Sequence, residues 1–381
     1  MAMSLVQEII QAAAAIIHAA RSLFRRVKRL YRRYFKSKAK PGLHATYTRK
    51  KKLDDMGEFI EIKDLSVSFD VRAGLLLRKI GTIQAVNNVS FSIKKGEILG
   101  VVGESGCGKS TLARLILRLI EPKSGSVNFN GNDLLKLSQK EMRRQRCHMQ
   151  MVFQDPYSAM DPRYTIFRSL SEPFQIQDAG FNKEERRKKI DDLLNLVGLN
   201  PQHGFAYPHE LSGGQKQRAD IARVLTLTPQ FIILDEPTAA LDVSVQAQII
   251  KLLERLREKL DLTFLFISHD LSLVTYFCDR VIVMYLGRIV EIISTDLIEK
   301  KPSHPYTKAL LESIFQTVPG QKKQTPPLEG EVPSPFNLPP GCVFVSRCNY
   351  AQSVCREQPP VLEKNAEGGR VACHFPLNLK I

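Results

Sequence analysis

Apolar and polar positions alternate along residues 58–70 and again along 85–95, the pattern of strands with one buried face. Gly96-Glu97 then turns the chain into Ile98–Val102, an apolar run followed at once by glycines, which reads as a buried strand entering a tight loop. Residues 155–225 carry helical spacing instead, including a helix over 185–199 with Gly198 near its end as a stop signal. Three more short runs read as buried strands: Phe231–Leu234, Leu262–Ile267 and Arg280–Tyr285. The helical stretches Val245–Lys259 and Leu271–Cys278 separate them. Strands alternating with helices predict an α/β fold whose parallel sheet is covered on both faces. Nine prolines between residues 302 and 340 exclude a continuous helix or central strand there and predict a meandering linker to a small Cys-containing terminus.

Residues 5–35 hold a sustained helical stripe running from Val6 and Ile9 to Tyr31 and Tyr34, with Arg and Lys crowding its later half. A basic amphipathic helix of this kind reads either as a membrane-surface element or as a helix docked on a partner or a poorly ordered leader. An organelle-targeting peptide also fits, and so does translation starting at Met56. This segment changes the meaning of the charge. The chain carries +16, but residues 1–52 hold 14 Lys and Arg against the single acid Glu8, a net +13, which leaves +3 for the rest. The body is therefore nearly neutral, and a basic nucleic-acid groove on it is not supported. No stretch reaches the roughly 18–20 uninterrupted apolar residues of a membrane span; Leu5–Phe24 is interrupted by Glu8, His18 and Arg21. The chain is read as cytosolic, where seven cysteines point to metal or reactive thiols before disulfides.

Gly103-Glu-Ser105-Gly106-Cys107-Gly108-Lys109-Ser110-Thr111 fits the phosphate-binding pattern G-x-x-x-x-G-K-[ST]. Glycines let backbone N–H groups converge on an anion, and the following helix presents its positive end. Lys109 is placed to reach the β- and γ-phosphates of ATP and Ser110 to offer its hydroxyl to Mg²⁺, while Cys107 reads as a small filler. Phe231–Leu234 ends in Asp235 and Glu236: one carboxylate to orient Mg²⁺ and its waters, the next to polarise an attacking water. Leu211-Ser212-Gly213-Gly214-Gln215-Lys216-Gln217-Arg218 opens a helix with Ser212 as N-cap.

With that segment the chain resembles the ABC ATPases over roughly residues 57–320, because LSGGQ is that family's signature. The resemblance implies a P-loop ATPase core with an antiparallel β subdomain and a helical subdomain at about 155–225. It also implies roles. Gln154 in MVFQDP matches the Q-loop glutamine beside the metal, together with Ser110 and Asp235. Asp242 in AALD matches the D-loop aspartate, although Ala240 stands where serine is usual. His269 in ISHD matches the switch histidine at the γ-phosphate. Phe69 is assigned to stack on adenine. Glu236 is the implied catalytic base, with His269 and Gln154 beside it. The implied mechanism is a head-to-tail sandwich of two ATPase subunits. Each ATP lies between the P-loop of one and Ser212, Gly213, Gly214 and Gln215 of the other.

Cys342, Cys348, Cys355 and Cys373 form a four-cysteine set without the C-x₂₋₄-C pairs usual for zinc. Four thiolates are also the usual ligands of an iron–sulfur cluster, and on spacing alone cluster, zinc and free thiols remain open. HPYTKALL at 304–311, LEGEVPSP at 328–335 and the cysteine tail resemble the ATPases of dipeptide/oligopeptide (peptide/nickel) importers. That resemblance implies a [4Fe–4S] cluster on the tail, with zinc as the alternative. It further implies a second ATPase subunit, two permeases, an extracytoplasmic binding protein, and a peripheral position on the cytoplasmic face of the inner membrane. Residues 1–40 are a candidate contact with the membrane surface, and no nucleic acid is expected. The expected organisation is an extension over 1–56, an ATPase domain over 57–300 and a Pro-rich, Cys-containing extension over 301–381. Three further readings compete: an importer ATPase for nickel or another small solute, a non-transport ABC ATPase acting on ribosomes or DNA, and an iron–sulfur redox or sensor protein whose ATPase is secondary. Against the second, the chain has one cassette and no long coiled-coil insert; against the third stands the complete catalytic set.

Overall fold

The computed structural model describes residues 57–73, 78–155, 159–177, 180–315, 333–334, 336 and 338–378. The amphipathic stretch 5–35, and with it the extension to residue 56, lies outside them. The described residues belong to one compact unit, Met56–Ile381.

Two sheets organise this unit. β1 (Glu58–Ala73), β2 (Arg78–Lys94), β4 (Ser124–Phe129) and β5 (Asn132–Asp133) form an antiparallel sheet in the order β2-β1-β4-β5. The larger sheet holds β3 (Ile98–Val102), β6 (Met149–Val152), β7 (Phe231–Asp235), β8 (Thr263–Ile267), β9 (Arg280–Tyr285), β10 (Arg288–Ser294), β11 (Glu363–Lys364) and β12 (Arg370–Val371). Its order is β11-β12-β10-β9-β3-β8-β7-β6, parallel from β9 to β6 and antiparallel beyond.

The apolar runs are buried because alternate residues serve two different cores. Ile98, Val102, Ile232, Leu234, Phe264 and Phe266 face a cluster shared with α3 (Ile166–Ile176), α4 (Lys183–Leu196), α5 (Gly213–Leu225) and α6 (Val243–Leu260). Leu99, Val101, Phe231, Ile233, Leu265 and Ile267 face a second cluster, shared with the antiparallel sheet and α1 (Lys109–Ile116). With both faces covered, no polar position is tolerated in the middle of these strands.

The structure changes three expectations. β2 begins at Arg78 rather than near residue 85, as the long partner of β1. β4 and β6 carry no alternation strong enough to stand out from the sequence. The Pro-rich stretch is not linker throughout: α9 (Pro305–Phe315) is a helix inside it. Pro305 occupies the first helical position, where the missing N–H costs nothing. The buried carboxylate of Glu291 on β10 accepts the N–H groups of Ser303 and His304, 2.7 and 3.0 Å away, which anchors the start of this helix. The tail then returns to the body, where β12 pairs with β10, and Cys342, Val343, Phe344 and Cys355 join the first core beside Tyr285 and Tyr306.

Candidate functional site

The strands β3, β8, β7 and β6 are neighbours in that order and run the same way, so the residues following each meet at one edge. This is where ligands bind in open α/β sheets. β3 leads into Gly103–Thr111, β8 into His269, β7 ends in Asp235 and Glu236, and β6 leads into Gln154.

Two glycines make the loop possible. Gly103 has φ +156°, and a Cβ there would lie 2.3 Å from the Met284 carbonyl oxygen. Gly108 has φ +102°, and a Cβ would lie 2.1 Å from the carbonyl of Ala85. Gly108 caps α1 without a side-chain acceptor, so the first N–H groups of that helix face the loop. The N–H of Gly287 holds the Cys107 carbonyl at 2.9 Å. Cys107 is buried as a small filler, and burial pushes its thiol up. Ser105 and Gly106 are exposed at the loop's tip. The ammonium of Lys109 is buried at the centre, donating to the carbonyls of Gly103 and Glu104 at 2.8 and 3.0 Å.

Ser110 Oγ donates to Asp235 Oδ1 at 3.0 Å, which brings the two expected Mg²⁺ ligands together. Burial pushes the Asp235 carboxyl up, the Ser110 hydrogen bond opposes this, and the neighbouring Glu236 charge adds to it. A cation beside this pair relieves that cost, so these residues fit Mg²⁺. Glu236 has φ +46°, in the left-handed region that a glutamate adopts only when its surroundings impose it. Gln154 Nε2 donates to Glu236 Oε2 at 3.2 Å, and His269 Nδ1 lies 3.1 Å from the same oxygen. The carboxylate expected to polarise water is thus held from two sides.

Other expected residues lie elsewhere in the fold. Ser212 caps α5 in a reciprocal box with Gln215, and among the described residues no hydrogen bond or ion pair joins 212–215 to the P-loop. Gly214 packs tightly, since a Cβ there would meet Val245 Cγ1 at 2.6 Å, and Gly213 faces Leu241. Asp242 caps α6, accepting from the N–H groups of Ser244 and Val245 at 3.1 Å and from the Ser244 hydroxyl at 2.6 Å. The Ser244 hydroxyl above all holds its carboxyl below the usual range. Phe69 is 41% exposed on β1, opposite Ile83.

Sequence reasoning missed the second layer around the loop. Glu104 donates its N–H to the Tyr306 hydroxyl at 3.1 Å, and its carboxylate pairs with Arg347 at 2.9 Å. The one available signal was the P-loop glutamate itself, which pairs across too great a distance in sequence to be read.

The four tail cysteines line a single cavity together with His304, Phe344, Tyr350 and His374. The backbone N–H groups of Phe344, Tyr350 and Phe375 hydrogen-bond the sulfurs of Cys342, Cys348 and Cys373, in each case from two residues on. Burial pushes these three thiols up, Cys373 to about 12, and the neighbouring cysteines add to the rise. Among the described residues no three His, Cys, Asp or Glu stand as a ready-made set for a metal ion.

A P-loop braced at the edge of a parallel sheet, with paired carboxylates, a glutamine and a histidine converging on it, defines an ATP-binding cassette ATPase. Residues 86–239 match the family model described as ABC transporter, and residues 290–355 match the one described as oligopeptide/dipeptide transporter, C-terminal region. The chain is 49% identical to the oligopeptide transport ATP-binding protein AppF of Bacillus subtilis over 319 residues, covering 83% of this chain and 97% of that protein. It is 50% identical over 292 residues to a putative peptide import ATP-binding protein of Brucella ovis, covering 77% of this chain and 92% of that one. Among solved structures, a dimeric post-hydrolysis state of the ATP-binding cassette MJ0796 with ADP and Pi is 29% identical. It aligns with TM-score 0.56 over 62% of this chain and 98% of its own. This chain belongs to the oligopeptide/dipeptide transporter branch of the ABC ATPases.

Proposed function

We propose that this chain is the ATP-hydrolysing motor subunit of an importer for di- or oligopeptides. The observation that carries the enzymatic part is the convergence of Ser110 with Asp235, and of Gln154 and His269 with Glu236, at the edge where the P-loop opens. The peptide cargo rests on the tail match over 290–355 and on the two relatives, named for peptide transport.

The N–H groups opening α1 and the Lys109 ammonium hold the β- and γ-phosphates of ATP. Ser110, Asp235 and Gln154 are the side chains that would hold Mg²⁺, which when bound neutralises phosphate charge. Glu236 polarises the attacking water, and His269 keeps that carboxylate oriented while facing the γ-phosphate. Phe69 stacks on adenine. Ser212–Gln215 have no role within their own site, so they complete the site of a second ATPase subunit, as Asp242 does at the same junction. Nucleotide-driven closure and opening of that pair then moves two permease subunits, reached near Gln154, which receive cargo from an extracytoplasmic binding protein. Among the described residues no helix is long and apolar enough to cross a membrane, in keeping with a peripheral position on the cytoplasmic face of the membrane.

Cys342, Cys348, Cys355 and Cys373 would hold a [4Fe–4S] cluster, which when bound supplies the positive iron charge that four neighbouring thiolates require. Their shared cavity and the N–H groups aimed at three of the sulfurs support this. Zinc is the alternative occupant of the same four thiols.

Affinity purification of the tagged chain from membranes tests the whole reading. Recovery with two multi-span permeases, and ATPase activity stimulated by peptide-loaded binding protein after reconstitution, are expected. Recovery with ribosomes or DNA would overturn it.

A further inference from the structure

The tail contains a buried group that neither ATP hydrolysis nor cysteine ligation uses. His304 is 1% exposed and lines the four-cysteine cavity, and its Nε2 has no hydrogen-bond partner. Its other ring nitrogen is committed: Nδ1 accepts the Tyr306 N–H at 3.0 Å. An accepting Nδ1 carries no proton, so the ring proton sits on Nε2. His374 also lines the cavity, but its Nε2 already meets the Gln358 carbonyl at 2.9 Å. A buried N–H without an acceptor is rare in native proteins and calls for a partner the protein itself does not supply.

We propose that His304 donates its Nε2–H to a sulfur of the four-cysteine centre, as a positioning and charge-tuning residue rather than a ligand. This rests on the reading of that centre as an iron–sulfur cluster. The backbone holds the ring at this post. Glu291 accepts the His304 N–H at 3.0 Å, Pro305 follows, and the Phe344 ring lies 5.8 Å away. Three of the sulfurs already receive backbone N–H groups, and His304 adds a side-chain donor to the same set. An N–H donor stabilises the more negative, reduced state of a cluster, so removing it lowers the reduction potential. His304 also ties the centre to the nucleotide loop, because Tyr306, whose N–H it accepts, receives the Glu104 N–H on its hydroxyl.

The test uses full-length protein prepared without oxygen: wild type, His304→Leu and His304→Gln, the last keeping a side-chain N–H. Iron and sulfide in equal amounts are expected in all three. Their absence from the wild type would overturn the cluster reading, and this inference with it. With the cluster present, redox titration of His304→Leu is expected to show about a tenfold weaker reduction, a potential lower by about 59 mV for one electron, with His304→Gln between it and the wild type. An unchanged potential in His304→Leu overturns the role of His304 and leaves the cluster standing. Pulsed electron-spin spectroscopy of wild type carrying isotope-labelled histidine gives an answer that no folding defect can obscure. Coupling of a histidine nitrogen and an exchangeable proton to the reduced cluster is expected, and its absence overturns the inference.

Discussion

Arg347 Nη1 donates to both carboxylate oxygens of Glu104, at 3.1 and 2.9 Å, across 243 residues of sequence. The arginine lies between the tail cysteines 342 and 348, and the glutamate is the second residue of the P-loop. The Arg347 side chain is only 6% exposed, and the same Nη1 reaches the Tyr285 hydroxyl at 3.3 Å. The tail therefore braces the phosphate-binding loop. Arg347→Ala is expected to raise the Kd for ATP about tenfold, in line with the roughly 1.5–3 kcal/mol of a charged hydrogen bond. Arg347→Lys should recover part of it. Equilibrium titration with a fluorescent ATP analogue measures both, and a wild-type Kd in Arg347→Ala would mean that the loop keeps its form without the tail.

Glu236→Gln preserves the shape of the side chain and a group for His269 to hold, but removes the charge proposed to polarise water. ATP affinity should stay within about twofold while turnover falls by about a hundredfold or more. Phosphate release against nucleotide binding separates the two effects. Wild-type turnover in this variant would reassign the base.

Ser212 sits exposed at the start of α5, away from its own P-loop. Ser212→Arg should therefore leave ATP binding by a single subunit intact and abolish ATP-dependent pairing of subunits. Light scattering in the Glu236→Gln background, where ATP persists, reports this directly. Pairing that survives the arginine would remove the signature segment from the shared site.

Asp220 is an unusual passenger on α5. It is fully buried, neither of its carboxylate oxygens has a hydrogen-bond partner, and Arg223 lies 3.2 Å from Oδ1 as an ion pair. Burial pushes its carboxyl up to about 6, against Arg223, which pulls it down. Between about pH 4 and pH 6 the folded chain holds a proton that the unfolded chain has released. The contribution of Asp220 to stability is thus fully present below the unfolded pKa and is lost as pH rises through about 6, on the order of 3 kcal/mol in all. Asp220→Asn should be more stable than wild type at pH 8, with the gap closing towards pH 4. Melting temperatures across that range check it, and a gap independent of pH would contradict it.

Most of the residues gathered at the sheet edge were legible because the signal for each is local. A P-loop needs its glycines, lysine and serine in one run. The residues that meet it lie at strand ends, recognisable as apolar runs followed by polar groups: Asp235 and Glu236 after Phe231–Leu234, His269 after Leu262–Ile267. Helix α9 is hidden among the prolines around it, since a proline at the first helical position starts a helix rather than breaking one.

The sequence by itself determined the buried strands, the phosphate loop and the polar residues that follow the strands, since each depends on neighbours a few positions away. Only the tertiary structure decided that alternate residues of one strand serve two cores, that Glu104 meets Arg347 and Tyr306, and that His304, its Nε2 unpaired, lines the same cavity as four cysteines. Those relationships join residues up to 243 positions apart. The contacts of the tail exist because β12 pairs with β10 and the tail folds back into the first core, and no local pattern encodes that return.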